Sequence, residues 1–312
     1  MKILITGGAG YIGSSLCGYL LQKGYKVTVL DTFMFSNDSL NAYMSNKNFF
    51  VYQEDVRDVE KVSKYIKKND IIIPLACLVG APLCNLKKKE ATQVNFESIK
   101  SMINFMSKDQ YIIYPTTNSG YGVGEKDKFC TEETPLNPIS IYGKTKVQTE
   151  EYISNNFHNS TRLRLATVFG CSPRMRLDLL VNDFVYRATK DKFIVLFESH
   201  FKRNYIHVRD VCNAILMSIE NHNKFSGETF NLGLSDANLS KMELCKKIKE
   251  YIPEFEIIES DIGQDIDKRN YIVSNEKIEA IGFKPSYSID NGIIELTKLF
   301  KYLIPSQSMR NY

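Results

Sequence analysis

The sequence predicts an α/β fold: a Rossmann-type doubly wound parallel sheet carrying a smaller α/β domain expected to bind substrate. Three observations carry that prediction. A glycine-rich turn at residues 7–13 joins a strand to a helix. Short apolar strands alternate with helical or loop segments as far as residue 114. An acid, Asp31, ends the second strand. Alternation of this kind builds parallel strands, with ligands beyond their carboxyl ends.

In order, residues 2–6 read as a buried strand. Gly7-Gly8-Ala9-Gly10-Tyr11-Ile12-Gly13 then runs into a helical pattern of Ile12, Leu16, Tyr19 and Leu20, closed by Gly24. Residues 26–30 form the second strand, ending in Asp31. Gly7 suits a tight turn, Gly10 lets a pyrophosphate approach the backbone, and Gly13 lets helix and strand pack closely. A carboxylate at 31 suits the ribose hydroxyls of an adenosine and repels a 2′-phosphate. No arginine adjoins it in sequence, so the pattern favours NAD over NADP. Further strands are expected at 49–53, 71–75 and 110–114, which places Asp55-Val56, Leu75-Ala76-Cys77 and Thr116-Thr117 on the ligand edge. Asp55 also fits a helix N-cap, and both readings stay open. A helix over 89–106 buries Val94, Ile99, Ile103 and Met106 and carries Asn95, either a satisfied polar residue or a site residue.

The stretch Ser140-Ile141-Tyr142-Gly143-Lys144-Thr145-Lys146 supplies candidate chemistry. Tyr142 and Lys146 are four apart, on one face of a helix. An ammonium beside a phenol favours the phenolate and lowers its pKa from about 10, so that it takes a hydroxyl proton near neutral pH. Taken alone, a Tyr-x-x-x-Lys spacing in a chain with 18 tyrosines also fits a solvated helix face.

Downstream, 163–166 is expected to be the sixth strand. Arg174 and Arg176 follow it and fit a phosphate contact or a solvated helix N-terminus equally well. Leu179, Val181, Phe184, Val185 and Ala188 form a helical face over the substrate. A strand and helix over 205–221 return to the first domain. Small α/β elements follow (229–232, 241–251, 257–258), then helices near 276–281 and 290–303 and a loose tail at 305–312.

The composition bounds the partners. A net charge of +4 is too mild to argue for nucleic acid but suits a local pocket for an anion. Seven cysteines, odd in number and without a C-x-x-C, read as reduced thiols in a cytoplasmic protein. No stretch has signal-peptide or membrane-span length, and the four histidines lack metal spacing.

The chain resembles the extended short-chain dehydrogenase/reductases, the nucleotide-sugar epimerases and dehydratases. The likeness runs through Thr6 to Gly13, Asp31, Asp55-Val56, Asn95, Thr117 with Tyr121-Gly122, Tyr142 to Lys146, Arg203 to Val211 and Phe230 to Gly233. It implies an NAD site at Gly7, Gly10, Tyr11, Ile12, Gly13, Asp31, Asp55, Val56, Leu75 and Ala76, completed by Tyr142 and Lys146. It implies a catalytic trio of Thr117, Tyr142 and Lys146, with Tyr142 as base. Asn118, Ser119, Arg174, Arg203 and Arg269 are the implied substrate contacts, the last two gripping a diphosphate. Residues 1–167 and 205–222 would bind NAD, and 168–204 and 223–312 the nucleotide sugar. A homodimer through the helices carrying Asn95 and Tyr142 is also implied.

Departures from the family pattern narrow the reaction. Pro74 stands where a histidine is frequent, Gly120 where a valine is usual, and Thr167 where an asparagine is common. Asn118-Ser119 occupies the place of the Asp-Glu pair that moves protons in 4,6-dehydratases; neither residue is an acid or base near neutral pH. The expected reaction is oxidation of a nucleotide-sugar hydroxyl at C4, ending in 4-epimerisation or in release of the keto sugar. Release would leave NADH to be reoxidised by a second substrate such as 2-oxoglutarate, a 2-oxo acid. The details around 118–121 and 269–271 resemble bacterial surface-polysaccharide (capsule) members acting on GDP-heptoses, which favours a GDP-sugar. A non-catalytic NAD-binding module is the rival from another class, disfavoured by the intact trio.

Overall fold

A computed structural model describes residues 1–35, 37–260, 262 and 269–311. Strands β1 (Lys2–Thr6), β2 (Lys26–Asp31), β3 (Phe49–Gln53), β4 (Ile71–Pro74) and β5 (Tyr111–Thr117) pair in parallel with strands Ser160–Leu165 and Thr229–Leu232. The order across this seven-stranded sheet is 229–232, 160–165, β5, β4, β1, β2, β3. It reverses between β1 and β4, the switch point at which a parallel sheet opens a crevice. Successive side chains of β1 face opposite ways: Ile3 and Ile5 enter one core, Leu4 the other. Both faces are therefore covered, and the strands read as continuous apolar runs.

Helix α1 (Tyr11–Gln22) and helix Val208–Glu220 pack together on the first of those cores. A second, three-stranded sheet joins Thr167–Phe169, Lys202–His207 and Asn238–Ser240. Two short parallel pairs complete the strands among the described residues, 193–196 with 256–259 and 129–130 with 272–273. Among the described residues no helix is long and apolar enough to cross a membrane, and no cluster of His, Cys, Asp or Glu could hold a metal.

Four expectations are corrected. Thr229–Leu232 registers against Arg162–Leu165 and closes the main sheet, so the division expected at residue 223 is displaced beyond this strand. The strand expected to return to the first domain pairs instead with 167–169 and 238–240, and only its following helix joins the main layer. The helix expected over 89–106 is interrupted by a π-turn at Gln93–Glu97, which carries Asn95. The tail is tied down: the Leu177 N–H donates to the Met309 carbonyl at 2.8 Å, and Asn311 is buried. Tyr312 lies outside the described residues.

Candidate active site

The turn after β1 is built for close approach. Gly7 has φ +73°, and a Cβ there would lie 2.4 Å from the backbone nitrogen of Ala76. A Cβ on Gly13 would lie 2.6 Å from the Gly7 carbonyl oxygen. Gly10 caps α1 without a side-chain hydrogen bond, and the first turn holds no acid. The amino end of α1, where the helix dipole favours an anion, is thus left to a ligand. Gly7, Gly10, Tyr11, Ile12, Gly13 and Leu75 line a cavity of about 1120 Å³.

Asp31, Asp55, Val56 and Ala76 are not part of that lining. The Asp31 carboxylate accepts the Ala9 and Phe33 N–H groups, both at 2.9 Å, and so organises the turn. Burial raises its pKa, against those bonds. Asp55 is bound by Arg57, with Nη2 at 2.5 Å, and the following helix is capped by Asp58 instead. Val56 is buried in the core.

At the carboxyl end of β5, Thr117 and Ser119 enter the same cavity. The Ser119 N–H donates to Thr117 Oγ1 at 3.1 Å, the two hydroxyls are 2.9 Å apart, and Arg269 donates to Ser119 Oγ. Arg269 reaches this point because Asn270 pairs with the 122–124 loop and Ile272-Val273 with Phe129-Cys130. Tyr142 faces the cavity from the first turn of helix Ile141–Asn156, which is capped by Ser140 accepting the Gly143 N–H at 3.0 Å. Asn95, outside the lining, accepts the Leu78 N–H (2.8 Å), donates to the Leu78 carbonyl (3.0 Å) and to Thr145 Oγ1 (3.3 Å). That settles Asn95 as a staple between the 75–80 loop and the Tyr142 helix.

The spacing of Tyr142 and Lys146 predicts a depressed tyrosine pKa, and the structure shows the opposite. Burial raises it well above the usual phenol value, with Cys77 adding; Arg269 and the Thr117 hydroxyl only partly offset this. Lys146, itself 5% exposed, donates to the Pro115 carbonyl at 2.5 Å and sits 4.1 Å over the Tyr114 ring. Its charge is engaged there, and burial lowers its pKa.

Beyond the trio the wall turns basic. Lys144, Arg174, Arg176, Arg187, Arg203, Lys241 and Arg269 line the cavity against Asp178 and Asp183 among the described residues. Asp178 pairs with Arg176 (2.5 Å) and Asp183 with Arg187 (2.8 Å). Arg203 donates to the Lys202 carbonyl and lies 5.8 Å over the Tyr271 ring; Lys241 donates to the Phe197 carbonyl. The set suits a ligand with two or more negative charges.

One expected substrate contact stands outside the lining. Asn118 is 1% exposed, lies outside the cavity lining, and neither of its side-chain polar atoms has a hydrogen-bond partner among the described residues. Arg174 lines the same cavity as Arg203 and Arg269, from beside α1, where its backbone N–H donates to Ser14 Oγ at 3.2 Å. Sequence reasoning missed Phe35, Lys241 and Asn311 in the lining. None belongs to a local motif, so nothing in their neighbourhoods marked them.

Comparison with known proteins gives concordant matches. The profile described as the NAD dependent epimerase/dehydratase family matches residues 3–233. The low-salt glycan biosynthesis protein Agl12 of Haloferax volcanii is 27% identical over 305 residues, covering 94% of this chain and 96% of that protein. A UDP-glucose 4-epimerase of Bacillus subtilis is 28% identical over 283 residues, 80% of this chain and 82% of its own length. The crystal structure of UDP-glucose 4-epimerase from Thermotoga maritima with UDP-glucose superposes with a TM-score of 0.83 at 25% identity, covering 96% and 99% of the two chains. That of dTDP-glucose 4,6-dehydratase from Bacillus anthracis with NAD gives 0.81 at 21% identity, covering 96% of each.

Proposed function

The chain belongs to the NAD dependent epimerase/dehydratase family, and within it we propose an enzyme that oxidises a nucleotide-sugar hydroxyl at C4 to a 4-keto sugar. NAD is the cofactor. The glycine-rich end fits it: two absent Cβ atoms leave the cradle open, and an uncapped helix N-terminus faces the cavity. When bound, NAD supplies the hydride acceptor.

The observation that carries the proposal is one cavity lined by the glycine turn, by Thr117 and Tyr142, and by Arg203 and Arg269. Tyr142 takes the proton of the reacting hydroxyl, and Thr117 hydrogen-bonds the same oxygen. Arg269 and the Thr117 hydroxyl favour the Tyr142 phenolate; Lys146, one helical turn away, is assigned to do so in the loaded site, and Arg203 and Arg269 hold the diphosphate. Each proton has a residue to receive or hold it, whereas loss of water would need an acid near Thr117. Asn118 is buried behind the wall and Ser119 is a hydroxyl, which supports oxidation without dehydration.

The finer assignment is a GDP-D-glycero-α-D-manno-heptose 4-dehydrogenase of capsule polysaccharide biosynthesis, acting in the cytoplasm as a homodimer and reoxidising its NADH with a 2-oxo acid such as 2-oxoglutarate. Its support is the Asn118-Ser119-Gly120-Tyr121 and Arg269-Asn270-Tyr271 pattern. A 4-epimerase is the second reading, favoured by the similarity to the two UDP-glucose 4-epimerases. Product mass from a panel of GDP-, UDP- and dTDP-sugars, GDP-manno-heptose included, decides between them. Loss of two hydrogens supports the dehydrogenase, and unchanged mass with inverted stereochemistry supports the epimerase. Loss of water overturns the role given to residues 118 and 119.

A further inference from the structure

We propose that Arg174, anchored by Asn311 and stacked on Phe35, grips the diphosphate of the bound dinucleotide, so that the segment after the last long helix holds the cofactor in place. The inference rests on the NAD site proposed above and assigns to it residues that motif reasoning gave to the sugar or did not single out.

Arg174 is 3% exposed, yet it lines the cavity together with Gly10, Gly13, Phe35 and Asn311. Its guanidinium carbon lies 4.7 Å from the Phe35 ring, and Nη2 donates to Asn311 Oδ1 at 2.7 Å. Nε is buried with no hydrogen-bond partner. Among the described residues no carboxylate forms an ion pair with this guanidinium. A buried cation without a counter-ion is costly unless a ligand provides the negative charge. Burial, with Arg176 nearby, pulls even this guanidinium down to about 10, against the opposing charges of Asp178 and Asp31.

Its position selects the ligand. The backbone around Arg174 is stitched to the first turns of α1: Ser172 Oγ donates to the Tyr11 carbonyl (2.6 Å) and lies 3.1 Å from both Ser14 Oγ and Ser15 Oγ. The amino end of α1 is also the part of the cavity that favours phosphate. Arg174 and the free helix end thus address the same anion from two sides. A planar guanidinium fixed by a stacking ring and an amide is well prepared to bind it. Asn311 reaches Arg174 because the chain before it returns to the substrate region, where the Met309 carbonyl accepts the Leu177 N–H.

The test is NADH binding to cofactor-stripped protein, read by NADH fluorescence; the chain has no tryptophan to interfere. Arg174→Met is expected to weaken NADH at least about tenfold, the scale of one lost charge-assisted contact. Asn311→Ala should weaken it in the same direction by less, and GDP and UDP binding should be unchanged in both. Unchanged NADH affinity in both variants overturns the proposal. So does loss of GDP or UDP binding with NADH retained, which would return Arg174 to the sugar side. An effect on NADPH alone would make it a 2′-phosphate contact and also overturn it. If Arg174→Met does not fold, judged by thermal unfolding, Asn311→Ala decides, because it keeps the arginine and removes only its anchor. Wild-type protein that binds no NADH would instead refute the cofactor site itself.

Discussion

The ammonium of Lys146 donates to the carbonyl oxygen of Pro115 at 2.5 Å, one helical turn from the phenol of Tyr142 that it is spaced to serve. Burial meanwhile holds Tyr142 above the usual phenol range. The base form of Tyr142 grows as pH rises, so the rate of sugar oxidation is predicted to climb with pH. Lys146→Met, which removes the cation one helical turn away and leaves Arg269, should move that climb to higher pH by about one unit or more. The pH profile of NADH formation at saturating NAD checks this. An identical midpoint in wild type and variant would show that Lys146 does not tune Tyr142.

Tyr142→Phe removes the phenolic oxygen and keeps the ring. Turnover of the nucleotide sugar is predicted to fall by roughly 100-fold or more, the usual contribution of a positioned base. NADH binding and the unfolding temperature should stay near wild type. A variant that retains turnover would point to a binding module, or to another base.

Arg269 donates to Ser119 Oγ beside the reacting position and also lies on the basic wall. Arg269→Ala is predicted to raise KM for the nucleotide sugar by about tenfold or more, consistent with one lost charge-assisted contact. NADH affinity should not change. Steady-state kinetics with a separate NADH titration tests it, and an unchanged KM would remove Arg269 from the diphosphate grip.

Much of this site is legible in the sequence because its parts are local. Gly7, Gly10 and Gly13 fall within one turn, and Tyr142 needs only Ser140 to cap its helix. What could not be read depends on contacts between distant segments. Arg174 looks like any arginine after a strand until Ser14, Phe35 and Asn311 converge on it from 137 to 160 residues away. Thr229–Leu232 has the pattern of any short buried strand, and only pairing with Arg162–Leu165 puts it in the main sheet. Nor does spacing show where a lysine spends its charge: Tyr142 and Lys146 share a helix face, yet the ammonium donates to the Pro115 carbonyl.

Asn95 satisfies both the N–H and the carbonyl of Leu78, in a buried π-turn. Asn95→Leu leaves the buried Leu78 N–H unpaired and its carbonyl with only the thiols of Cys77 and Cys84 as donors, and is predicted to lower stability by about 1–3 kcal/mol. It also frees the 75–80 loop, which lines the cavity through Leu75, Cys77 and Val79, so kcat should fall along with Tm. Urea unfolding and kinetics on the same preparation check both. A fall in Tm with unimpaired kcat would confine Asn95 to the core.

Glu295 ties the last long helix, Ile289–Phe300, to the sheet: it accepts the Cys171 N–H at 2.6 Å and meets His207 Nε2 and Arg209 Nη2, each at 3.1 Å. Burial works against its charge, but the His207 contact, the Cys171 N–H and the two neighbouring charges outweigh it and bring its pKa down to about 2. The folded value lies below the unfolded one of about 4.3, so the stabilisation is complete above about pH 5 and is lost as pH falls toward 2. Glu295→Gln is therefore predicted to be less stable than wild type at about pH 7, with the gap narrowing as pH drops toward about 3. Urea unfolding of both proteins across that range measures it. A gap that stays constant with pH would mean that the ionised carboxylate contributes nothing specific, and that the helix is held by its apolar face alone.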